Sequence, residues 1–287
     1  MITSTANSQI KNVINLIKKS KERKNQGLFV VEGRKMFEET PAERIDKVYI
    51  SESFINSNKA YEKEYLSKCS YEIVSDNVFA HMSDTKTPQG ILALVKIKEN
   101  TIDEILASKN SIQDAGNTNN PDDIDKPDDR NKKDKEPLIL VLENIQDPGN
   151  LGTMIRTAEG AGVTGIVMTA DTVDIYNPKV IRSTMGAMYR MKFAYVSDIE
   201  EAVIALRSRN ITTYAAHLKG EGFYDEADYT GGTAFLIGNE GNGLTDKASE
   251  MSDKLIKIPM EGALESLNAA VSAAILMYEA SRQRRSK

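Results

Sequence analysis

The chain is poor in the residues from which cross-linked and metal-held scaffolds are built. Its 287 residues hold one cysteine, Cys69, two histidines, His81 and His217, and no tryptophan. One thiol cannot close an internal disulfide, and three Cys and His residues fall short of the four ligands of an ordinary structural zinc site. A secreted disulfide scaffold and a zinc-held fold are therefore excluded, and no metal is expected. Long apolar runs are missing as well: Met1 to Ile10 is polar, and the longest uncharged run of small apolar residues, Ala269 to Met277, is too short to cross a bilayer. A cytoplasmic protein without a membrane partner is expected. Positive charge is also in deficit, with 37 Lys and Arg against 42 Asp and Glu, a net charge of −5 and a pI near 5.4. Such an average disfavours a polyanionic partner unless it hides a basic patch.

The charge is in fact segregated. Residues 1–35 carry Lys11, Lys18, Lys19, Lys21, Arg23, Lys24, Arg34 and Lys35 against Glu22 and Glu32, a net +6. From Glu279 to Lys287 the balance is +3, which leaves −14 for the body between. Hydrophobic residues make up 40% of the chain, enough for a packed core in each of the two domains that about 100 to 200 residues per domain would suggest. Residues 108–137 have almost no large apolar side chains and are dense in Asp, Asn and Lys, so they cannot bury enough surface to order themselves. The expected division is a first domain over 1–107, a flexible polar linker over 108–137 and a second domain over 138–287.

Apolar spacing at Ile10, Val13, Ile14 and Ile17 predicts an amphipathic helix, followed by strands at Leu28–Val31, Val48–Ser51, Tyr71–Ser75 and Ile91–Ile97. Helices are expected near Gly33–Glu39 and Asn58–Lys68, so the first domain reads as a small α/β unit. The second reads as a mostly parallel, helix-covered sheet with strands at Leu138–Leu142, Gly165–Thr169, Lys192–Val196, Thr212–Ala216, Ala234–Ile237 and Leu255–Ile258. Asp198 and Glu201 form a capping box for a helix over Ile199–Arg209, and a last helix is expected from about Ser266 to Arg285.

Three loops carry the polar chemistry. Glu143 to Arg156 follows the first strand of the second domain; Pro148-Gly149 turns the chain, Asn150 is suited to cap a helix, and Arg156 lies six residues on. Gly238-Asn239-Glu240-Gly241-Asn242-Gly243-Leu244 follows an apolar strand, and its glycines permit close backbone approach around a single carboxylate. It lacks the Lys-Ser/Thr ending of a phosphate-binding loop and the glycine spacing of a dinucleotide fingerprint. Ile258 to Asn268 runs from a strand end into the final helix, with Ser266 placed to cap that helix and Asn268 in its first turn.

In this order and spacing the three loops resemble the SpoU, or TrmH-like, family of RNA ribose 2′-O-methyltransferases, the match running through nearly all of 138–280 and including Asn177 to Gly186. Residues 1 to about 98 resemble the L30e-like substrate-binding extension of ribosomal-RNA members. The resemblance implies an α/β chain whose C-terminal domain is a trefoil-knotted, mostly parallel sheet with helices on both faces, preceded by the smaller L30e-like domain. It implies S-adenosylmethionine bound at Gly238, Ile258 and Leu267 with Asn239, Gly241 and Met260 beside them, and a homodimer whose interface builds the active site. Asn150, Arg156, Glu240, Ser266 and Asn268 match the family's polar active-site positions. Ala269-Ala270 departs from the Val-Ser frequent in relatives, a difference that touches helix packing.

No His or Cys lies in the three loops, so positioning must supply much of the rate. Arg156, protonated at ordinary pH, is expected to bind the substrate phosphate and stabilise a developing alkoxide. Asn150 and Asn268 are expected to orient the ribose or hold the loops, and Glu240 to fix loop geometry rather than act as base. Lys18, Lys19, Lys21, Arg23, Lys24, Arg34 and Arg182 are the expected RNA contacts. Ribosomal RNA is the expected partner; a transfer-RNA enzyme, an inactive RNA-docking knot and a nucleotide-cofactor oxidoreductase are the competing readings.

Overall fold

A computed structural model describes residues 1–67, 69–107, 136–220 and 222–286, in two compact units. Of the expected linker only Glu136 and Pro137 are among them; the rest lies outside the described residues. One unit comprises Met1–Lys98 with Asp174–Tyr189, the other Glu99–Val173 with Arg190–Lys287. The segment Asp174–Tyr189, which the sequence division assigns to the second domain, thus has its contacts in the first unit.

The first unit is a four-stranded sheet of β1 (Leu28–Glu32), β2 (Ile45–Ser51), β3 (Tyr71–Val74) and β4 (Ile91–Lys96) in the order β1-β4-β2-β3. β4 pairs antiparallel with β1 and β2, and β2 pairs parallel with β3. Asn7 caps the helix Ser8–Lys18, whose Ile10, Val13, Leu16 and Ile17 are buried with Val30, Tyr49, Phe79 and Leu92. Each such side chain contributes about 1.5 to 3 kcal/mol when fully buried, and this face, more than helix propensity, fixes the helix. Gly27 ends the next helix, Ser20–Gln26, at φ 63°, a conformation that a side chain would strain. The helix expected over Asn58–Lys68 is a short α-turn, Lys59–Tyr61, running into a π-turn, Glu62–Leu66.

Within this unit Asp174–Tyr189 is tied by several contacts. The Tyr176 ring lies 4.6 Å from that of Phe29, and the Tyr176 hydroxyl donates to the Lys98 carbonyl. Asn177 caps the helix Pro178–Thr184, accepting from the Lys179 N–H, and Arg182 pairs with Asp84 at 3.0 Å.

The second unit is a seven-stranded sheet: β5 (Leu138–Leu142), β6 (Gly165–Thr169), β7 (Phe193–Val196), β8 (Thr212–Ala216), β9 (Gly222–Phe223), β10 (Thr233–Ile237) and β11 (Lys254–Lys257), ordered β7-β6-β5-β10-β8-β11-β9. Its pairings are all parallel. β5, β6 and β10 are buried along their whole length, as strands covered on both faces must be. The edge strand β9, two residues long, was not anticipated. The chain returns to the middle of its own sheet to place β10 between β5 and β8.

Helix ends show where local reading fell short. The helix after β5 is Pro148–Ala161; its cap is Asp147, whose Oδ1 accepts from the Asn150 N–H, and Asn150 is the third helical residue. The final helix is Ala269–Arg285, capped by Asn268 through the N–H groups of Ala270 and Val271, while Ser266 lies outside it in an exposed loop. Asp198 caps Ile199–Arg207 as expected, but the Glu201 carboxylate accepts from the Ser197 N–H rather than closing a box on Asp198.

Candidate active site

Parallel strands end on the same side, and β5, β10, β8 and β11 are sheet neighbours, so the three polar loops emerge side by side at the carboxyl edge where ligands of open α/β sheets bind. The second loop latches the first. Asn144, at φ 55°, donates its N–H to Thr169 Oγ1 at 3.0 Å, and its carbonyl accepts from Asn239 Nδ2 at 2.8 Å. Glu240 then grips the turn before the helix: Oε2 accepts from the Gln146 N–H at 3.1 Å, and Oε1 from the Asp147 N–H at 3.1 Å and from Asn150 Nδ2 at 3.0 Å. Partial burial pushes the Glu240 carboxyl up, but hydrogen bonds from Asn150, Gln146, its own N–H and Asp147 outweigh it and hold the group below the usual carboxylate range. An ionised, fully engaged carboxylate is a weak proton acceptor.

The third loop joins through Asn268, whose Nδ2 donates to Asn150 Oδ1 at 3.1 Å while its own Oδ1 caps the final helix. Glu240, Asn150 and Asn268 therefore form one chain of hydrogen bonds across all three loops. Gly238 is required for a reason internal to the second loop. A Cβ there would stand 2.1 Å from the Gly243 carbonyl carbon and the Leu244 nitrogen, because Asn239 and Gly243 fold onto each other through a pair of N–H to carbonyl bonds. Of the three glycines only Gly243 takes a left-handed conformation, at φ 71°.

Beside this network lies a cleft of about 860 Å³. Gly238, Asn239, Gly241, Ile258, Met260 and Leu267, all expected to hold a cofactor, line it, as do Glu240 and Ser266. Among the described residues no main-chain N–H or carbonyl from Ile258 to Leu267 takes part in a hydrogen bond, and Ile258 to Glu261 and Glu265 to Leu267 line the cleft. One part of the lining was not anticipated: His217, Leu218 and Lys219 come directly after β8, and Phe223 belongs to β9. The strand Thr212–Ala216 was legible, but only the sheet order brings the residues beyond its carboxyl end to the same cleft as the glycine loop.

Arg156 does not line that cleft. Six residues of helix carry it about 9 Å along the axis from Asn150 and on to another face, where its guanidinium is exposed and unpaired among the described residues. The expected RNA contacts divide. Lys18, Lys19, Lys21 and Lys24 are exposed and make no ion pair among the described residues. Arg34 pairs with Glu38 at 2.7 Å and lies over the Tyr61 ring, and Arg182 is held by Asp84. Arg23 is a correction: it is 3% exposed, and its guanidinium donates to the Leu16 and Ile17 carbonyls and to Asp174 Oδ2 at 2.6 Å, so its donors are spent inside the unit. Two arginines of the basic C-terminus are likewise committed. Arg284 donates to the carbonyls of Glu136, Pro137, Tyr229 and Gly231, and Arg282 pairs with Glu279.

Comparisons with known proteins agree with the geometry. Residues 137–278 match the model of the SpoU rRNA methylase family, and residues 7–93 that of the MRM3-like substrate-binding domain. The chain is 28% identical over 277 residues, 96% of its length and 97% of the relative's, to the 23S rRNA (guanosine(2553)-2′-O)-methyltransferase RlmP of Bacillus subtilis. It is 33% identical over 202 residues, 68% of this chain and 71% of the relative, to the 23S rRNA (guanosine-2′-O-)-methyltransferase RlmB of Vibrio parahaemolyticus. In fold it resembles the SpoU methyltransferase AviRb from Streptomyces viridochromogenes in complex with AdoMet, with a TM-score of 0.80, 23% identity and coverage of 98% of this chain and 99% of that one.

Proposed function

The chain belongs to the SpoU rRNA methylase family, and on that premise we propose how its three loops and its basic helix perform 2′-O-methylation of ribosomal RNA. It is an S-adenosylmethionine-dependent RNA ribose methyltransferase. The observation that carries the reading is the hydrogen-bonded chain Glu240–Asn150–Asn268 beside a cleft walled by unpaired backbone. The fit to S-adenosylmethionine is good: its adenine and methionine ends need several donors and acceptors, and the backbone of Ile258 to Leu267 together with Gly238 offers them. Bound there, the cofactor supplies an electrophilic methyl group on a sulfonium.

The remaining chemistry belongs to the chain. Asn150 and Asn268 orient the ribose, and Glu240 holds the first loop in place without serving as base. Arg156 binds the phosphate next to the target ribose and stabilises the oxygen from which the proton departs to water or a neighbouring group. Lys18, Lys19, Lys21 and Lys24, with Arg34 and Arg182, hold the RNA backbone, so that the first unit, Met1–Lys98 with Asp174–Tyr189, acts as substrate-binding domain to the methyltransferase unit.

The enzyme acts as a homodimer in which Arg156 of one copy completes the site of the other. Two features support this. Arg156 is free and outside its own cleft, and Val271 and Tyr278, seven residues apart on one face of the final helix, are each 47% exposed. We place the reaction in the cytoplasm, with its ribosomal RNA.

Methyl transfer from labelled S-adenosylmethionine to ribosomal and transfer RNA, followed by mapping of 2′-O-methyl positions, tests the reading. One labelled ribose in ribosomal RNA is the expected result. Labelling of transfer RNA alone would replace the substrate, and no ribose methylation in either would overturn the assignment.

A further inference from the structure

His217 is one of two histidines in the chain, and no sequence motif includes it. Its backbone is fixed where β8 leaves the sheet, the N–H donating to the Ile256 carbonyl at 2.9 Å. Its ring is fixed as well, since Nδ1 accepts from the Lys219 N–H at 3.1 Å. With Nδ1 occupied as an acceptor, the neutral ring carries its hydrogen on Nε2. Among the described residues Nε2 has no partner, although His217 is half-buried in the cleft wall between Ala216 and the exposed apolar side chains of Leu218 and Phe223. A held ring with one free donor, in the same lining as Leu218 and Phe223, suits a neutral acceptor next to a flat apolar group.

We propose that His217 is a cofactor-positioning residue whose Nε2–H donates to a ribose or ring acceptor in the nucleoside half of S-adenosylmethionine, with Leu218 and Phe223 covering that half. The inference rests on the methyltransferase reading and adds to it a side-chain contact from the end of β8, the strand next to the one that carries the glycine loop. A bond to the nucleoside, rather than to the methionine carboxylate, is inferred because the ring offers a single neutral donor beside Leu218 and Phe223, while Lys219 and Lys257 in the same lining are the groups suited to a carboxylate.

Calorimetric titration of the full chain separates these possibilities with three probes: S-adenosylmethionine, S-adenosylhomocysteine and 5′-methylthioadenosine, which lacks the amino-acid end. His217→Phe should weaken all three by about tenfold, in line with one lost hydrogen bond, while His217→Gln, which keeps an N–H donor, recovers most of the affinity. RNA affinity and melting temperature of the Phe variant should match the parent chain, which excludes misfolding as the cause. Unchanged affinity for all three probes would overturn the proposal. So would weakening confined to the two probes that carry a carboxylate. Failure of the unsubstituted chain to bind S-adenosylmethionine would instead count against the methyltransferase reading itself.

Discussion

Glu240 and Asn150 stand ninety residues apart in the chain and are joined by a 3.0 Å hydrogen bond in which the carboxamide donates to a carboxylate that already accepts two backbone N–H groups. Because the folded carboxyl is held below its ordinary value of 4.5, the contribution of this bond to stability is complete above that value and declines as the pH falls through the lower folded one. Melting temperatures of the parent chain and Glu240→Gln, compared from pH 7 down to pH 3, should therefore differ most at neutral pH and converge in acid. A gap that stays constant with pH would mean that the carboxylate charge is not what holds the loop.

Asn268 serves two partners that substitution can separate. Asn268→Asp keeps an oxygen to cap the final helix but turns the group facing Asn150 Oδ1 from donor to acceptor. Its melting temperature should stay close to that of the parent, whereas Asn268→Ala should lose about 1 kcal/mol with the cap. Both should lose most methyl transfer. An active Asp variant would reduce Asn268 to a helix cap.

Arg156→Lys retains the charge but not the fork, and kcat should fall by about 100-fold or more with S-adenosylmethionine affinity unchanged. If the guanidinium works across the dimer, mixing the inactive chains Arg156→Ala and Asn268→Asp should regain about a quarter of parent activity, since half of the dimers are mixed and each has one intact site. No recovery on mixing would place Arg156 at its own chain's site.

The basic helix and Arg23 should part company under mutation. Changing Lys18, Lys19, Lys21 and Lys24 to Gln should weaken RNA binding and reduce the slope of log affinity against log salt by up to about 3, with stability and cofactor binding unaltered. Arg23→Met should destabilise the first unit by about 3 to 5 kcal/mol, because Asp174 and two carbonyls lose their donor. Equal loss of RNA affinity from both changes at full stability would return Arg23 to the binding surface.

Much of this was readable in one dimension. β5, β6 and β8 span the residues expected of them, because hydrophobic periodicity and turn residues are local properties, whereas the chemistry was suggested by the resemblance of the three loops, in their order and spacing, to the SpoU family. Helix caps were less legible: Asp147 displaced Asn150 and Asn268 displaced Ser266, since several good capping residues stand close together and only the path of the chain selects one.

What the sequence by itself determined is the inventory: two α/β units, an acidic body with a basic N-terminus, and three polar loops placed after strands. Tertiary structure alone decided which of those groups remain free to act. It set β8 beside β10 and β9 beside β11 and so brought His217 and Phe223 to the cleft beside the glycine loop, it engaged Glu240 with two N–H groups and a carboxamide, and it buried Arg23 while leaving Lys18 and Lys19 exposed. The physical reason is that a side chain's charge and hydrogen-bonding capacity are fixed by its identity, whereas the partners that consume them are chosen by the fold, at 90 to 94 positions along the chain for Glu240 and 151 for the Asp174 partner of Arg23.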